Sequence, residues 1–336
     1  MCYKNERWGD TGLSADVEVL AKIILSGDPH LSSKNRGAHN DYPSESLYYY
    51  NLVGNIAEQH GATHSIDLGD FSYGRFHTLE YRMKVEDELK RQLDYFKGNK
   101  WGIKGNHDSA SYGKTEFEYY LSRKLFKGSE YIKIGNVNIN MVDFDKYDET
   151  EVIFGGEDEI NVIVTHGYFM FSDSKLPPYG DPIILDNYEK WYGADYIICG
   201  HIHEEHMLEG AIHKEDGNFH ECVLHYLPSL PRPSYLGDAT PTMGTVVILT
   251  VYDNNTMLYE TIDVPLLPME QSFNLALKDK QKEHSELVHV DVTDVVNSLA
   301  NHQRVIGDPE VIIMSKEDIP EKYRLKAIEL LKNASK

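Results

Sequence analysis

The chain has 336 residues, 41% of them hydrophobic, enough to bury a substantial core in one large domain with a smaller companion. Its formal net charge of −21 excludes a broad electrostatic footprint for nucleic acid or an anionic membrane, and leaves only a local positive site such as bound metals create. Three cysteines, Cys2, Cys199 and Cys222, with no C-x-x-C pair exclude a disulfide framework and suit a reducing cytoplasm, and neither a signal-peptide core nor a membrane-length apolar run is read.

Residues 1–21 read as a polar lead-in. From Lys22 strands and helices alternate: "KIIL" is a buried strand, "ESLYYYNLVGNIAEQ" has helical spacing, and "HSIDL" is a second strand. The long amphipathic helix "TLEYRMKVEDELKRQLDYF" precedes the strand "WGIK", and "KTEFEYYLSRKLF" is helical again. "EYIKIGNVNINMVDF" carries a Gly-Asn turn between two alternating runs and predicts a hairpin. "NVIVTH" and "DYIICGH" are apolar strands that run into histidine. "HECVLHYLPS", "GTVVILTVYD" and "TMLYETIDV" continue the sheet text, the last two joined at Asn254-Asn255. This order predicts an α/β sandwich with mixed sheets over residues 22–266. Beyond it, residues 267–336 read as helices: "SFNLALKDKQKEHSEL", "VTDVVNSLANH" and "PEKYRLKAIELLKN".

Five short motifs fall at the ends of predicted strands: "GDPH" (27–30), "GD" (69–70), "GNHD" (105–108), "TH" (165–166) and "GHIH" (200–203). They supply Asp28, His30, Asp70, Asn106, His166, His201 and His203, hard oxygen and imidazole donors suited to Mn, Fe or Zn. The glycines are expected to let each strand turn sharply, so that the donors converge at the carboxyl edge of the sheet. In D-x-H and H-x-H, extended backbone would place both side chains on one side. A lone "GD" or "TH" is an ordinary strand end; five in order, each after an apolar strand, are not. His64, His206, His213, His220 and His225 read as structural or surface residues, and "SLYYYN" as a helix face packed on the sheet.

The ordered set resembles the signature of the calcineurin-like metallophosphoesterase superfamily, D-x-H, G-D, G-N-H-[DE], H and G-H-x-H, over residues 22 to about 263. The resemblance implies a four-layer α-β-β-α sandwich and two divalent metals, Mn foremost with Fe or Zn as alternatives. One metal would be held by Asp28, His30 and His203, the other by Asn106, His166 and His201, with Asp70 shared. Such a pair, roughly 3.5–4 Å apart, shares a hydroxide and supports in-line displacement at phosphorus. The resemblance makes His107 the catalytic histidine near the leaving oxygen and Asp108 its companion, orienting from behind the site.

Substrate class turns on "SIDLGDFSYGR" (65–75), where Tyr73 stands in place of the second aspartate that protein phosphatases carry in G-D-x-x-D-R-G. Tyr73, Arg75 and Arg232 are candidate substrate contacts, the tyrosine either orienting His107 through a water or lining the cleft. The segment after "GHIH" loosely resembles the SbcD-type DNA repair and recombination nucleases, in a compact form like those of some phages. That resemblance implies a DNA exo/endonuclease subunit of a bacterial or phage-infected cell. Its partners would be DNA and an SMC-like ATPase of SbcC type, gripped through the C-terminal helices, and its assembly a homodimer. The alternatives are a small-molecule phosphodiesterase or phosphatase acting on cyclic nucleotides or nucleotides, which suits the acidic charge, and a non-catalytic scaffold on the same fold.

Overall fold

The computed structural model describes residues 17–34, 41–76, 78–109, 115–176, 181–231, 243–266, 288–290 and 312–314. Its first sheet has strand order β13-β12-β1-β2-β3, built from β1 (Val19–Ser26), β2 (His64–Asp67), β3 (Lys100–Gly102), β12 (Met243–Tyr252) and β13 (Met257–Pro265). β1, β2 and β3 are parallel, and β12 joins β1 antiparallel with Ile24 opposite Ile248. The second sheet has order β10-β11-β9-β6-β5-β4: β4 (Tyr131–Ile134), β5 (Val137–Val142), β6 (Ile160–His166), β9 (Tyr196–Gly200), β10 (His206–His213) and β11 (Phe219–Tyr226). In it β5, β6, β9 and β11 run parallel, while β4 and β10 close the two edges antiparallel.

Period-2 alternation explains the layers. Along β1, Ile23 and Leu25 face Val137, Ile139, Val162, Val164 and Ile198 of the other sheet, forming the core between them. Ile24, one residue out of phase, packs instead with Tyr49, Val53 and Ala57 of α1 (Tyr42–His60). α1 starts at an Asp41 cap whose side chain accepts the Ser44 N–H, and stops at Gly61, with φ of 66°. α2 (Leu79–Tyr95) lies beside it, and its Tyr81, Val85 and Leu89 are buried with Phe71 and with Phe117 and Tyr120 of α3 (Glu116–Ser122). On the outer face of the second sheet Ile163, Ile197 and Leu224 are covered by Trp191, Phe169, Phe171 and Leu185. Leu185 and Trp191 come from two 3-10 turns, Leu185–Asn187 and Glu189–Trp191, while Phe169 opens and Phe171 follows the short strand β7 (Phe169–Met170), which pairs with β8 (Ile183–Ile184).

The expected elements are present with local differences. β1 begins inside the expected lead-in, because Val19 already pairs with Tyr252. α3 ends at Ser122, earlier than the pattern predicts, since Lys124 takes a φ of 58° and Leu125 and Phe126 turn into the core. β7, β8 and β10 were not expected, although Asp216-Gly217 closes the β10–β11 hairpin with Gly217 at φ of 87°. The predicted C-terminal helices lie outside the described residues; described there are two strands, β14 (Val288–Val290) and β15 (Ile312–Met314), paired antiparallel. Among the described residues no helix is long and apolar enough to cross a membrane.

A buried ion pair ties β2 to β3. Lys100 Nζ stands 2.9 Å from Asp67 Oδ2, with the side chains 0% and 4% exposed. The Tyr50 and Ser26 hydroxyls donate to the same carboxylate at 3.1 and 3.3 Å. Lys100→Ala strands that carboxylate in the core and is expected to cost about 3–5 kcal/mol, read as a lower urea midpoint. The double variant Asp67→Asn/Lys100→Met recovers most of the loss.

Candidate metal centre

The parallel strands β1, β2, β3, β6 and β9 all deliver their carboxyl ends to one edge of the sandwich, and the five motifs sit there. Asp28 is the hub. Its carboxylate accepts the His201 backbone N–H at 3.0 and 3.2 Å, and lies 3.5 Å from His166 Nδ1, 3.6 Å from His203 Nε2 and 3.9 Å from His30 Nε2. His30 and His203 meet through their Nε2 atoms at 2.9 Å, one ring donating to the other. Asp70 Oδ2 stands 3.4 Å from His166 Nε2 and 3.9 Å from both His30 and His107. Asn106 Oδ1 lies between His166 Nε2 (2.8 Å) and His201 Nδ1 (2.9 Å). The seven expected donors are therefore one connected cluster.

Local backbone achieves this differently from the expected extended geometry. His30, Asp70 and His201 themselves adopt positive φ, 44°, 49° and 89°, a region costly for non-glycine residues and found at sites held by their surroundings. Asp28 and His30 lie beyond the end of β1, so a turn brings them together rather than the i, i+2 alternation of a strand. Gly69 turns as expected, with φ of 93°. Gly105 and Gly200 serve close approach instead: a Cβ on Gly105 would stand 2.2 Å from Asp70 Oδ1, and one on Gly200 2.3 Å from Asp28 Oδ1.

Bonds knit the loops. His30 N–H donates to Asp70 O (2.9 Å), and Leu31 N–H to Phe71 O (3.0 Å). Asp108, fully buried, accepts backbone N–H groups from Phe71 (3.0 Å), Ser72 (3.4 Å) and Gly105 (3.1 Å), so one carboxylate clamps two motif loops from behind. Tyr42 and Ser229 hydroxyls donate to the carbonyls of His30 (3.1 Å) and Asp28 (2.9 Å). His166 Nδ1 lies 2.8 Å from the Leu68 carbonyl, which fixes the ring so that Nε2 faces Asp70 and Asn106. Of these supports only Asp108 was anticipated; the others act through backbone atoms and carry no motif.

Charge is the site's main problem. Asp28 is 0% and Asp70 1% exposed. Burial by itself would raise both carboxyls, but His166 beside them outweighs it and both are lowered, hence ionised. Burial would likewise discharge His166, yet Asp70 and Asp28 raise it well above its ordinary value. Both His166 nitrogens face oxygens, as an imidazolium requires. Burial pushes His30 down to about 3 and His201 down to about 4, and lowers His203, leaving neutral rings able to offer lone pairs. Burial and Asp70 push Asp108 up to about 7.

This donor set fits divalent metals. Donors that share one cation at bonds of about 2.1 Å stand roughly 3.0–3.4 Å apart. Asp28, His30 and His203, and Asp28, Asp70 and His166, each present ligand atoms within 4.8 Å of one another. Around the cluster, His107 is on the open side with its side chain 36% exposed, its backbone N–H donating to Asp70 Oδ1 at 2.8 Å. Tyr73 lies against it, Arg75 is exposed on the same loop, and Arg232 lies outside the described residues. The five other histidines read as structural or surface residues lie elsewhere: His64 stacks on Trp101, His206 faces Glu204, His213 lies against Phe219, His220 meets Asp195, and His225 joins Glu205 and Tyr259.

An α/β sandwich with imidazoles and carboxylates gathered at one strand edge defines a candidate metal centre. The chain belongs to the calcineurin-like phosphoesterase family, whose model matches residues 21–205, and is thus a hydrolase of phosphoester bonds in a family that works with two metals. No curated protein matches it. Among 89 matching chains of solved structure is the crystal structure of a dimetal phosphatase from Danio rerio. It is 13% identical and covers 74% of this chain and 100% of its own, with a TM-score of 0.40.

In the metal-free protein at pH 7, nitrogen-15 spectra of the imidazoles should find His166 charged and His30 and His201 neutral. His166 is raised on folding, so its contribution to metal-free stability is full below pH 6.5, its ordinary value, and is lost as pH climbs through the raised one. Titration with zinc should discharge His166. Gly200→Ala should abolish metal uptake, measured by metal analysis of the purified protein.

Proposed function

We propose that the chain is a DNA nuclease of SbcD type, hydrolysing phosphodiester bonds at two divalent metals, Mn foremost. The observation that carries the reading is the convergence of Asp28, His30, Asp70, Asn106, His166, His201 and His203 on one edge beneath an exposed His107. Asp28, His30 and His203 would hold one metal; Asn106, His166 and His201 the other; Asp70 would serve both. When bound, such a pair supplies Lewis-acid charge to the phosphoryl oxygens and makes water a competent nucleophile near neutral pH.

The protein's own residues do the rest. His107 overlooks the mouth of the cluster, where its imidazole can hand a proton to the departing sugar oxygen. The neutral rings of His30, His201 and His203 keep their lone pairs for ligation, and the Leu68 carbonyl holds His166 to one orientation. His107 and His203 keep 36% and 27% of their side chains exposed, an access that suits a polymer entering from the side. Tyr73 leaves no carboxylate at the position of the phosphatases' second aspartate, which supports a substrate other than a phosphoprotein. All seven donors and His107 are present, which supports an enzyme over a scaffold. The helical pattern in the sequence of residues 267–336 is compatible with a grip on an SMC-like ATPase, and the assignment carries with it a cytoplasmic setting and a homodimer.

A second reading, a small-molecule phosphodiesterase, is favoured by the net charge of −21, which repels a polyanion. The deciding measurement gives the Mn2+-loaded full chain linear DNA, a cyclic nucleotide and a nucleoside monophosphate side by side. Loss of the DNA, with the other two intact, is the expected result. Cleavage of the cyclic nucleotide with DNA untouched transfers the assignment to the second reading. His107→Ala should slow turnover by at least about 10²-fold while metal content stays unchanged.

A further inference from the structure

His107 has an unusual mechanical situation. It is half-exposed, and among the described residues its imidazole makes no hydrogen bond; its nearest charged atom, Asp70 Oδ2, is 3.9 Å away. Only its backbone N–H is bonded, to Asp70 Oδ1. An exposed imidazole held by one backbone bond is free to turn about its side-chain torsions. Among the described residues a pair of rings bounds it. Tyr73 lies against one side, with ring centroids 4.5 Å apart and planes 31° from parallel. His30 meets it edge-on at 5.5 Å and 75°.

Tyr73 is itself well anchored. Its backbone N–H donates to the Leu31 carbonyl at 2.9 Å, and Ser72 before it forms a bridge with Leu31. Asp108 accepts from Phe71 and Ser72 on this loop and from Gly105 on the loop that carries His107. The two rings are thus mounted on stretches clamped to one carboxylate, and their spacing is set by the fold.

We propose that Tyr73 is a positioning residue for His107, and that its aromatic face, not its hydroxyl, confines the imidazole over the mouth of the carboxylate–histidine cluster. The catalytic part of this proposal rests on the assignment of His107 as proton donor in phosphodiester hydrolysis; the positioning part does not. A wall placed by ring contact differs from a hydrogen-bonding partner. It leaves both imidazole nitrogens open to substrate and solvent.

The test uses Tyr73→Ala and Tyr73→Phe in the full-length protein, each alone and combined with His107→Ala. Tyr73→Ala should lower kcat by up to about tenfold, the scale of a lost aromatic pair, with KM and metal content unchanged. Tyr73→Phe, which keeps the ring, should restore most of kcat. On the His107→Ala background Tyr73→Ala should have no further effect, because the two act as a unit. A second readout needs neither metal nor substrate: the ring-current displacement of the His107 carbon-bound protons in nuclear magnetic resonance spectra. It should persist in Tyr73→Phe and vanish in Tyr73→Ala. Equal losses in Phe and Ala, a raised KM at constant kcat, or unchanged His107 shifts in Tyr73→Ala would each overturn the proposal. If the wild-type chain cleaves no phosphodiester, the proposed function and the catalytic part fall together. The ring-current result then still decides the positioning part.

Discussion

Two carboxylates that water does not reach, Asp28 and Asp70, are the constraint from which the rest of the molecule follows. An ionised carboxylate taken from water costs several kcal/mol unless positive charge accompanies it. The strand ends answer by bringing four imidazoles and an amide around the pair. In the metal-free protein His166 carries the compensating proton, with both ring nitrogens directed at oxygen atoms. Its partners His30, His201 and His203 are kept neutral by burial. The same dry environment that makes the carboxylates expensive also prepares them for divalent cations, whose charge replaces a proton at far closer quarters.

Much of this was legible from residues alone. Apolar strands ending in short Gly-Asp, Asn-His and His-x-His motifs pointed to the sandwich and to the seven side chains that the fold gathers at one edge, because strand periodicity and metal-ligand chemistry leave strong local marks. What was not legible depends on loops meeting in space. The Leu68 carbonyl that orients His166 and the hydroxyls of Tyr42 and Ser229 have no pattern in the chain. β10 escaped because Gly210 takes an inward place, where it fits against Phe171, and because the outward places mix apolar Met207 and Ala211 with polar Glu209 and His213. α3 read too long because Leu125 and Phe126 continue its apolar pattern while serving the core after the helix has ended. The expectation for Tyr73 named its hydroxyl or the cleft, and the ring contact with His107 was not foreseen.

The site also shows how a precise arrangement is made from irregular chain. Three of the residues expected to meet metal, His30, Asp70 and His201, sit at positive φ, conformations that a free peptide would abandon. They persist because hydrogen bonds cross between loops at His30–Asp70 and Leu31–Phe71, and because Asp108 fastens the 69–73 turn to the 105–108 turn. Beneath them the Lys100–Asp67 pair locks β2 to β3 a few residues before the turns begin. Rigidity passes upward, from paired strands to clamped loops to oriented rings.

Gly105 and Gly200 give the floor of the cluster a consequence for how such a protein changes over generations. Neither position has room for a methyl group without striking a carboxylate. The floor is therefore closed to gradual exploration, one substitution being enough to empty it. The rim at residues 73–75 is half-buried or exposed, and Tyr73 meets the rings of both His30 and His107. Novelty in substrate choice is thus left to the exposed end of the rim at Gly74 and Arg75, around an unchanging reactive centre.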